Sequence, residues 1–172
     1  LNVAEVKDSK LDYVLVPFSV NGFRITSFCP VKKVSGSFSK LYLGSNVESV
    51  GENTVYLSSN FSSLREINVD PANKFLTAYK NVLYNIGNDA PYFIPSAITK
   101  LELKPVKVIE KNFIYRLENV EEIVFAEGTE RIEAYAVEKC RNLRTVYVPS
   151  SVTYMDKEAI YDCGDKVEVI RK

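Results

Sequence analysis

Histidine and tryptophan are absent from this chain, methionine occurs once, and only seven of its 172 residues are glycine. The absence of histidine removes the most common general base, the usual serine and cysteine triads, and most zinc sites. The glycines form neither G-x-G-x-x-G nor G-x-x-x-x-G-K-[ST], the patterns that cradle phosphate groups. Acidic pairs such as Glu121-Glu122 are expected to be solvated groups on a repeat surface. The sequence therefore predicts a protein that is not an enzyme and that uses no cofactor or metal ion.

Net charge is also missing, because 22 lysine and arginine residues balance 22 aspartate and glutamate residues. Nucleic-acid binders normally carry a basic excess on one face, and no basic run here is longer than Lys32-Lys33. No apolar run approaches the roughly 18 residues of a membrane-spanning helix. We therefore expect neither a nucleic-acid partner nor a membrane span. The chain starts at Leu1 rather than methionine, so we expect a mature or trimmed chain whose secretory signal has been removed.

A short repeat is what the sequence has in abundance. The six-residue pattern apolar-x-x-apolar-x-apolar occurs seven times and starts near residues 11, 38, 64, 98, 120, 143 and 164. Its fourth and sixth positions follow the period of a β-strand and are mostly valine, isoleucine or leucine. One unit is too small to bury its own apolar face, so successive units must stack. We expect a single solenoid domain over residues 1–172, with an insert at residues 70–97.

Two further apolar marks follow the strand in most repeats, and they predict the remaining walls of each coil. The first mark is Val50, Ile132 or Met155, and the second is a small residue followed by a larger one, as in Ala136-Val137 and Ala159-Ile160. The repeat at residues 98–118 is one residue short and places Ile109 at the first mark. Each coil is therefore predicted to have several apolar walls.

The three cysteines, Cys29, Cys140 and Cys163, are too few and too widely spread for a disulfide framework. Cys140 and Cys163 occupy the same rung of successive repeats, where cysteine behaves as a small hydrophobe. The stacking distance of coils would permit a disulfide, but parallel side-chain directions favour two free buried thiols. Cys29 has no counterpart in another repeat.

The last complete repeat has an apolar strand, then Pro-Ser-Ser-Val-Thr (149–153), Met155, the pair Ala159-Ile160 and finally Cys163. This order resembles the BspA-type leucine-rich repeat of bacterial surface proteins. The segment "VPSSVTYMDKEAIYDC" (148–163) is the nearest likeness, and "LYLGSNVESVGENTV" (41–55) is also similar. The segment at residues 67–95, which begins "INVDPANKFLTAYKNVLYN" and ends "YFIP", is similar to the longer variant of the family, in which a strand-turn insert precedes the next coil. The likeness covers roughly residues 11–172. It departs where Asn81 replaces the glycine of the insert, and where Glu133 and Asp156 replace a glycine after the first apolar mark.

The resemblance implies an α/β-type repeat, namely a right-handed leucine-rich-repeat solenoid with one curved parallel β-sheet and irregular or 3₁₀ connections. It also implies a non-catalytic, adhesion-type module at a bacterial cell surface or secreted, whose partner is a protein of the host extracellular matrix or a glycan. The alternative is a spacer segment of a larger surface protein that has no ligand of its own. We expect a monomer in either case.

Alternation along each strand places its third and fifth positions opposite the core. The third positions carry charges that alternate in sign from Lys40 to Glu122, an arrangement that favours strand register and solubility. The fifth positions form the candidate binding row, which consists of Tyr42, Asn68, Glu102, Val124 and Tyr147. Concave solenoid sheets serve as binding surfaces, although tyrosine is also simply a good strand former, so both interpretations stay open.

The insert at residues 70–97 contains Ile86-Gly87-Asn88-Asp89-Ala90 between two apolar segments. Glycine and asparagine tolerate the positive φ of tight turns, so this stretch predicts a hairpin-like excursion. It either repairs an irregular coil or forms a binding loop.

Overall fold

The computed structural model describes residues 12–28, 38–50, 63–88 and 90–172. The chain divides into two compact units, an N-terminal unit of residues 1–88 and 92–97 and a C-terminal unit of residues 89–91 and 98–172. Both are built from solenoid coils, about six turns in all. The single domain over residues 1–172 stays a prediction, and Cys29 lies outside the described residues.

In the part of the N-terminal unit that the structure describes there are ten short strands, the last of which begins at Pro91 of the other unit. They are β1 (Tyr13–Val16), β2 (Ser19–Val20), β3 (Phe23–Arg24), β4 (Ser27–Phe28), β5 (Lys40–Leu43), β6 (Ser49–Val50), β7 (Glu66–Val69), β8 (Leu76–Tyr79), β9 (Val82–Asn85) and β10 (Pro91–Phe93). The main sheet is parallel, in the order β1-β5-β7, and β4 pairs with β6 in parallel. The hairpin β2-β3 and the insert sheet β10-β9-β8 interrupt the coils, and β8 and β9 are antiparallel.

The C-terminal unit is regular and consists of three parallel ladders. The first contains β11 (Lys100–Glu102), β14 (Glu122–Val124), β17 (Thr145–Val148) and β20 (Glu168–Arg171). The second contains β12 (Val108–Ile109), β15 (Arg131–Ile132) and β18 (Tyr154–Met155). The third contains β13 (Ile114–Tyr115), β16 (Val137–Glu138) and β19 (Ile160–Tyr161). Each coil therefore contributes one strand to each of three walls.

Apolar residues at matching repeat positions meet inside these walls. Leu101, Ile123 and Val146 are in register on the first ladder and are fully buried. Ile109, Ile132 and Met155 are in register on the second, which confirms the first apolar mark, and Val137 opposite Ile160 confirms the second mark. Burial of one such side chain contributes roughly 1.5–3 kcal/mol, so stacking supplies the core that no single repeat has.

The corners after the third ladder use backbone that most residues avoid. Arg116, Lys139 and Asp162 occupy this corner in three successive coils, with φ of 57°, 59° and 49°. Left-handed backbone costs an ordinary L-residue roughly 1–2 kcal/mol. The backbone hydrogen bonds from Arg116 N to Glu138 O and from Lys139 N to Tyr161 O tie each corner to the next coil and offset that cost.

The first six repeat strands begin where the sequence predicts, but the seventh does not. The alignment of the repeats places Val167 opposite Val146, and with it Glu168 in the row of Tyr147. In the structure Val169 pairs with Val146 and Ile170 pairs with Tyr147. The prediction was wrong by two residues because valine occurs at both 167 and 169, so the apolar pattern of the sequence fits both registers.

Two features of the predicted fold differ from the structure. The described residues contain no α-helix and no 3₁₀ turn, so the α/β label and the 3₁₀ connections are not confirmed. The short repeats leave room only for two-residue strands and turns on the other walls. The repeat strands form two separate sheets, β1-β5-β7 and β11-β14-β17-β20, instead of one. After β7 the chain enters the insert hairpin, so the sheet β1-β5-β7 ends at this strand. The handedness of the coil stays a prediction.

Candidate functional site

The candidate row in the N-terminal unit consists of Tyr42 and Asn68, which are register partners on β5 and β7. Both side chains are half-buried, and Leu15 on β1 lies opposite Tyr42 with its side chain exposed. The Tyr42 ring meets the Tyr13 ring edge to face, with 6.0 Å between centroids. Asn68 donates from Nδ2 to Glu66 Oε1 over 2.8 Å. This surface therefore presents an aromatic group beside an amide that is already oriented.

The other three row residues lie in register in the C-terminal unit. Val124 pairs with Glu102 on one side and with Tyr147 on the other, and all three side chains are half-buried. Glu102 Oε1 forms an ion pair with Lys100 Nζ, which lies 3.5 Å away, and Lys172 Nζ lies 4.3 Å from the centre of the Tyr147 ring. The five predicted residues are thus brought together as two groups, one in each unit.

The charged third positions form local pairs. Lys40 Nζ and Glu66 Oε2 are 3.6 Å apart on neighbouring strands. Lys100 lies opposite Glu122, but its ion pair is with Glu102 on its own strand. Exposed pairs of this kind contribute only about 0.2–1 kcal/mol, which fits a role in register and solubility.

A cleft of about 540 Å³ opens beside Asn68 in the N-terminal unit. Its lining combines apolar and polar residues: Ile67, Val69, Pro71, Leu76, Ala78 and Ile86, and Asn68, Asp70, Asn73, Thr77, Lys80 and Asn81. Its walls are β7 and the insert hairpin. The volume lies within the range of about 300–1,000 Å³ that ligand sites occupy. The cleft therefore connects the two sequence-based candidates, the outward row and the insert.

Asn73 fixes the hairpin that forms one wall of the cleft. Its buried side chain donates from Nδ2 to the carbonyls of Gly44 and Val47, each over 2.9 Å. Its Oδ1 accepts from the backbone N–H groups of Phe75 and Leu76, each over 2.8 Å. All hydrogen-bonding directions of this amide are used, so the start of β8 is tied firmly to the preceding coil.

The hairpin turn itself was missed by the sequence analysis. It lies at Lys80-Asn81, between β8 and β9, and both residues have positive φ, 49° and 68°. Two positive φ values are typical of the two-residue turns that match strand twist, and asparagine tolerates them well. The signal was present, because strand-like segments flank these two residues directly. The predicted excursion around Ile86–Ala90 joins β9 to its neighbour β10, and Gly87 supplies a φ of 85° there.

A second surface that the sequence did not reveal lies in the C-terminal unit. Tyr115 and Tyr161 flank Glu138 on the third ladder and are exposed by 43% and 48%. Tyr135 lies at the preceding corner with a φ of 58°, and its ring meets Tyr161 edge to face at 5.0 Å. The hydrogen bond from Tyr135 to Glu158, 2.9 Å long, raises the pKa of this tyrosine. In the sequence, the one sign of this arrangement is that Tyr115, Glu138 and Tyr161 follow one another at intervals of one repeat.

Cys140 and Cys163 are both free, and Cys140 is buried while Cys163 is half-buried. This agrees with the prediction of free thiols. The Cys140 thiol donates to Glu138 O over 3.6 Å, and the Cys163 thiol donates to Tyr161 O over 3.4 Å. Coupling between the two thiols lowers the pKa of Cys163 to about 7, and the same coupling together with burial raises the pKa of Cys140. Cys163 is therefore both the less buried thiol and the one whose pKa is lowered.

The described part of the chain contains no cluster of three or more cysteine, aspartate or glutamate side chains placed to hold a metal ion. Within the same residues, none of the secondary structure is a helix of the length and apolarity needed to cross a membrane.

Comparison with known proteins gives distant structural neighbours and one family. No curated protein matches the chain. A leucine-rich cell surface protein from Faecalibacterium prausnitzii is 16% identical, with a TM-score of 0.40 over 95% of this chain and 60% of that one. A leucine-rich repeat protein from Eubacterium ventriosum is 14% identical, with a TM-score of 0.40 over 85% of this chain and 52% of that one. The pneumococcal vaccine antigen PcpA is 13% identical, with a TM-score of 0.47 over 93% of this chain and 54% of that one.

The chain therefore spans between 52% and 60% of the length of these solved structures. The family model of the BspA type leucine-rich repeat region matches residues 35–166 in six copies. This match covers most of the chain and includes both units. The chain belongs to the BspA-type leucine-rich repeat family.

Proposed function

We propose that the chain is a non-catalytic protein-binding module at a bacterial cell surface, of the adhesion type. Membership of the BspA-type family supports this proposal, as does the description of one structural neighbour as a cell surface protein. The single observation that carries it is the cleft of about 540 Å³ that adjoins Asn68, at the end of an outward row of half-buried aromatic and amide groups.

The chemistry of the row suits a protein surface. Tyrosine buries a large area at a low cost in conformational entropy, and it is enriched among the residues that dominate interface energies. Tyr42 and Asn68 are held by Tyr13 and Glu66, so little rotamer freedom would be lost on binding. The nearby charged side chains of Lys40 and Glu66 already pair with each other. Affinity would therefore come from shape and from a few aromatic anchors rather than from charge.

The experiment is surface binding of the purified chain to fibronectin, fibrinogen, collagen and a set of common glycans. The test variant is Tyr42→Ala/Tyr147→Ala. The matched control is Tyr154→Ala/Tyr161→Ala, which removes two exposed tyrosines from the other ladders.

Saturable binding to a protein that the row variant loses and the control variant keeps would support the proposal. Binding that survives in the row variant would remove the row from the site, and binding to glycans alone would change the partner class. A folded sample that binds nothing would make a spacer role the better account.

A further inference from the structure

The two free thiols of the C-terminal unit lie at the same corner of successive coils. Register on the third ladder pairs Glu138 with Tyr161, and Lys139 N donates to Tyr161 O over 3.2 Å. Cys140 and Cys163 each lie two residues beyond this register pair. Neighbouring strands lie about 4.8 Å apart, and disulfides join Cα atoms that are about 4.4–6.8 Å apart. The spacing of the coils therefore falls within the range of a disulfide.

The Cys163 thiol leans toward the coil that carries Cys140. Its Sγ donates to Tyr161 O on its own coil over 3.4 Å and also to Val137 O on the preceding coil over 3.6 Å. The Cys140 thiol donates to Glu138 O, the carbonyl that follows Val137 on β16. Both sulfur atoms therefore contact adjacent peptide groups of one strand. Parallel side-chain directions would keep the two thiols apart, but the contact of Cys163 with β16 brings its sulfur to the side of Cys140.

The two thiols differ in their access to solvent and in their acidity. Cys140 is fully buried, whereas Cys163 is half-buried. Each thiol is the largest influence on the pKa of the other, raising that of Cys140 and lowering that of Cys163 to about 7. The thiolate is the form that attacks a disulfide, and an attacking thiol works best when its pKa lies near the ambient pH. Cys163 therefore has the properties of the attacking thiol, and Cys140 has the position of the thiol that reacts second.

We propose that Cys163 is a modification site for small-molecule disulfides, and that Cys140 converts the product into a disulfide between two successive coils. In the first step the Cys163 thiolate attacks one sulfur of the small disulfide RSSR, whose S–S bond breaks, so that a mixed disulfide forms and one RS⁻ leaves. In the second step Cys140 Sγ loses its proton and attacks Cys163 Sγ, and the second RS⁻ leaves. Both cysteines are thereby oxidised, and RSSR is reduced to two thiols that take up the two protons.

The new bond closes a loop of one coil, from residue 140 to residue 163. Within the described residues the third ladder ends at β19, which lies just before Cys163. The disulfide therefore fixes β19 to β16 at the last pair of strands in this wall. Closing such a loop restricts the unfolded chain and so stabilises the fold. This inference does not depend on the proposed binding function, because neither cysteine belongs to the candidate row or lines the cleft.

The test incubates the whole folded chain with oxidised glutathione at neutral pH and then blocks the remaining thiols with an alkylating reagent. Trypsin cleaves after lysine and arginine, which flank both cysteines, so the expected product is residues 140–141 joined to residues 158–166 through a disulfide. Mass spectrometry detects this product and its loss after reduction. Cys29 falls in a different peptide, so its reactions are measured separately.

Single variants separate the two steps. Cys140→Ala should retain glutathione on Cys163 as a stable mixed disulfide, because the thiol that reacts second is missing. Cys163→Ala should leave Cys140 unmodified, because a buried thiol is not accessible to the reagent. Cys29→Ala is the matched control and should form the bond between coils as the parent does. Circular dichroism checks that each variant is folded.

Thermal unfolding measures what the bond does to the fold. Oxidation of the parent should raise the thermal midpoint by roughly 5 °C, because the cross-link restricts the unfolded chain, and a reductant should reverse the rise. Cys140→Ala should show no such rise after the same treatment.

The proposal is overturned if the parent keeps glutathione on Cys163, or if neither thiol reacts until the chain unfolds. A disulfide from Cys29 to either cysteine, in place of the bond between coils, overturns it as well. A bond that forms without raising the midpoint supports the modification site and overturns the fixing of β19 to β16. Failure of the proposed binding function is a separate result, because it appears in the surface assay with matrix proteins and glycans.

Discussion

The two units of this protein obey the same repeat to different degrees. In the C-terminal unit the strands of successive coils pair on three walls, and the sequence period is sufficient to place nearly every buried residue. In the N-terminal unit one hairpin interrupts the coil after β1 and a second follows β7. The cleft occurs in this irregular unit, at the second interruption. Regular stacking builds the scaffold, and departures from it create concave surface.

The largest effect on stability is expected from a substitution in the core of the regular C-terminal unit. Val146 is fully buried between Ile123 and Val169 in the first ladder. Val146→Asp places a charge without a partner in that wall, and we expect the free energy of unfolding to fall by several kcal/mol, enough to unfold these coils. Circular dichroism and the thermal midpoint check this. The control is Thr145→Lys on the outward face, where the register partners are Glu122 and Glu168, and equal midpoints for both variants would show that the register described here is wrong.

The next largest loss of stability is expected where two coils approach each other closely at a glycine. Each unit has one such glycine. A Cβ atom at Gly164 would lie 2.3 Å from the carbonyl oxygen of Leu143, and one at Gly44 would lie 2.6 Å from the backbone N of Phe18. Gly164→Ala and Gly44→Ala should each destabilise the fold by about 1–3 kcal/mol, because backbone must move in both cases. Gly87→Ala is the spatial control, since nothing lies within 4 Å of its Cβ position, although its φ of +85° carries a cost of its own. Denaturant unfolding measures all three variants, and an unchanged midpoint for Gly164→Ala would contradict the close stacking of coils.

A smaller effect tests the hairpin that distinguishes the N-terminal unit. Asn81 has a φ of 68°, which alanine adopts at a cost of roughly 1–2 kcal/mol. Asn81→Ala should therefore destabilise the hairpin by about 1 kcal/mol, while Asn81→Gly should leave it as stable or slightly more stable. Amide hydrogen exchange of β8 and β9 measures the change. Equal exchange in both variants would mean that this turn does not hold the wall of the cleft.

The smallest change concerns reactivity rather than stability. Coupling to the Cys140 thiol lowers the pKa of Cys163 to about 7. Alkylation of Cys163 should therefore rise with pH from near neutrality, and Cys140→Ala should move that rise to higher pH because the coupling is lost. Peptide-resolved mass spectrometry separates Cys163 from the other two cysteines. An unchanged pH profile in Cys140→Ala would show that the two thiols are not coupled.

The sequence was informative where side-chain period alone decides the structure. Positions four and six of the pattern identified the six strands from β1 to β17 that begin each coil, and the later marks identified the other walls. At β20 the same period failed, because Val167 and Val169 satisfy two registers and only backbone pairing distinguishes them.

The candidate site was only partly predictable. The row residues Tyr42 and Asn68 followed from alternation, since they occupy equivalent positions of neighbouring repeats. The cleft did not follow, because it depends on the bonds of Asn73 to Gly44 and Val47, which are more than twenty residues away in sequence. A contact of that kind has no period and is not visible in a repeat pattern.

The central claim is that the irregular N-terminal unit carries recognition. The measurement that tests it most directly is amide hydrogen exchange of the whole chain, free and in complex with the matrix protein that the surface assay identifies. The claim predicts that exchange slows mainly in β7, in β8 and in the turn at Lys80-Asn81, with little change in the three ladders of the C-terminal unit. Slowing confined to residues 100–171 would contradict it and would place the binding surface on the regular coils.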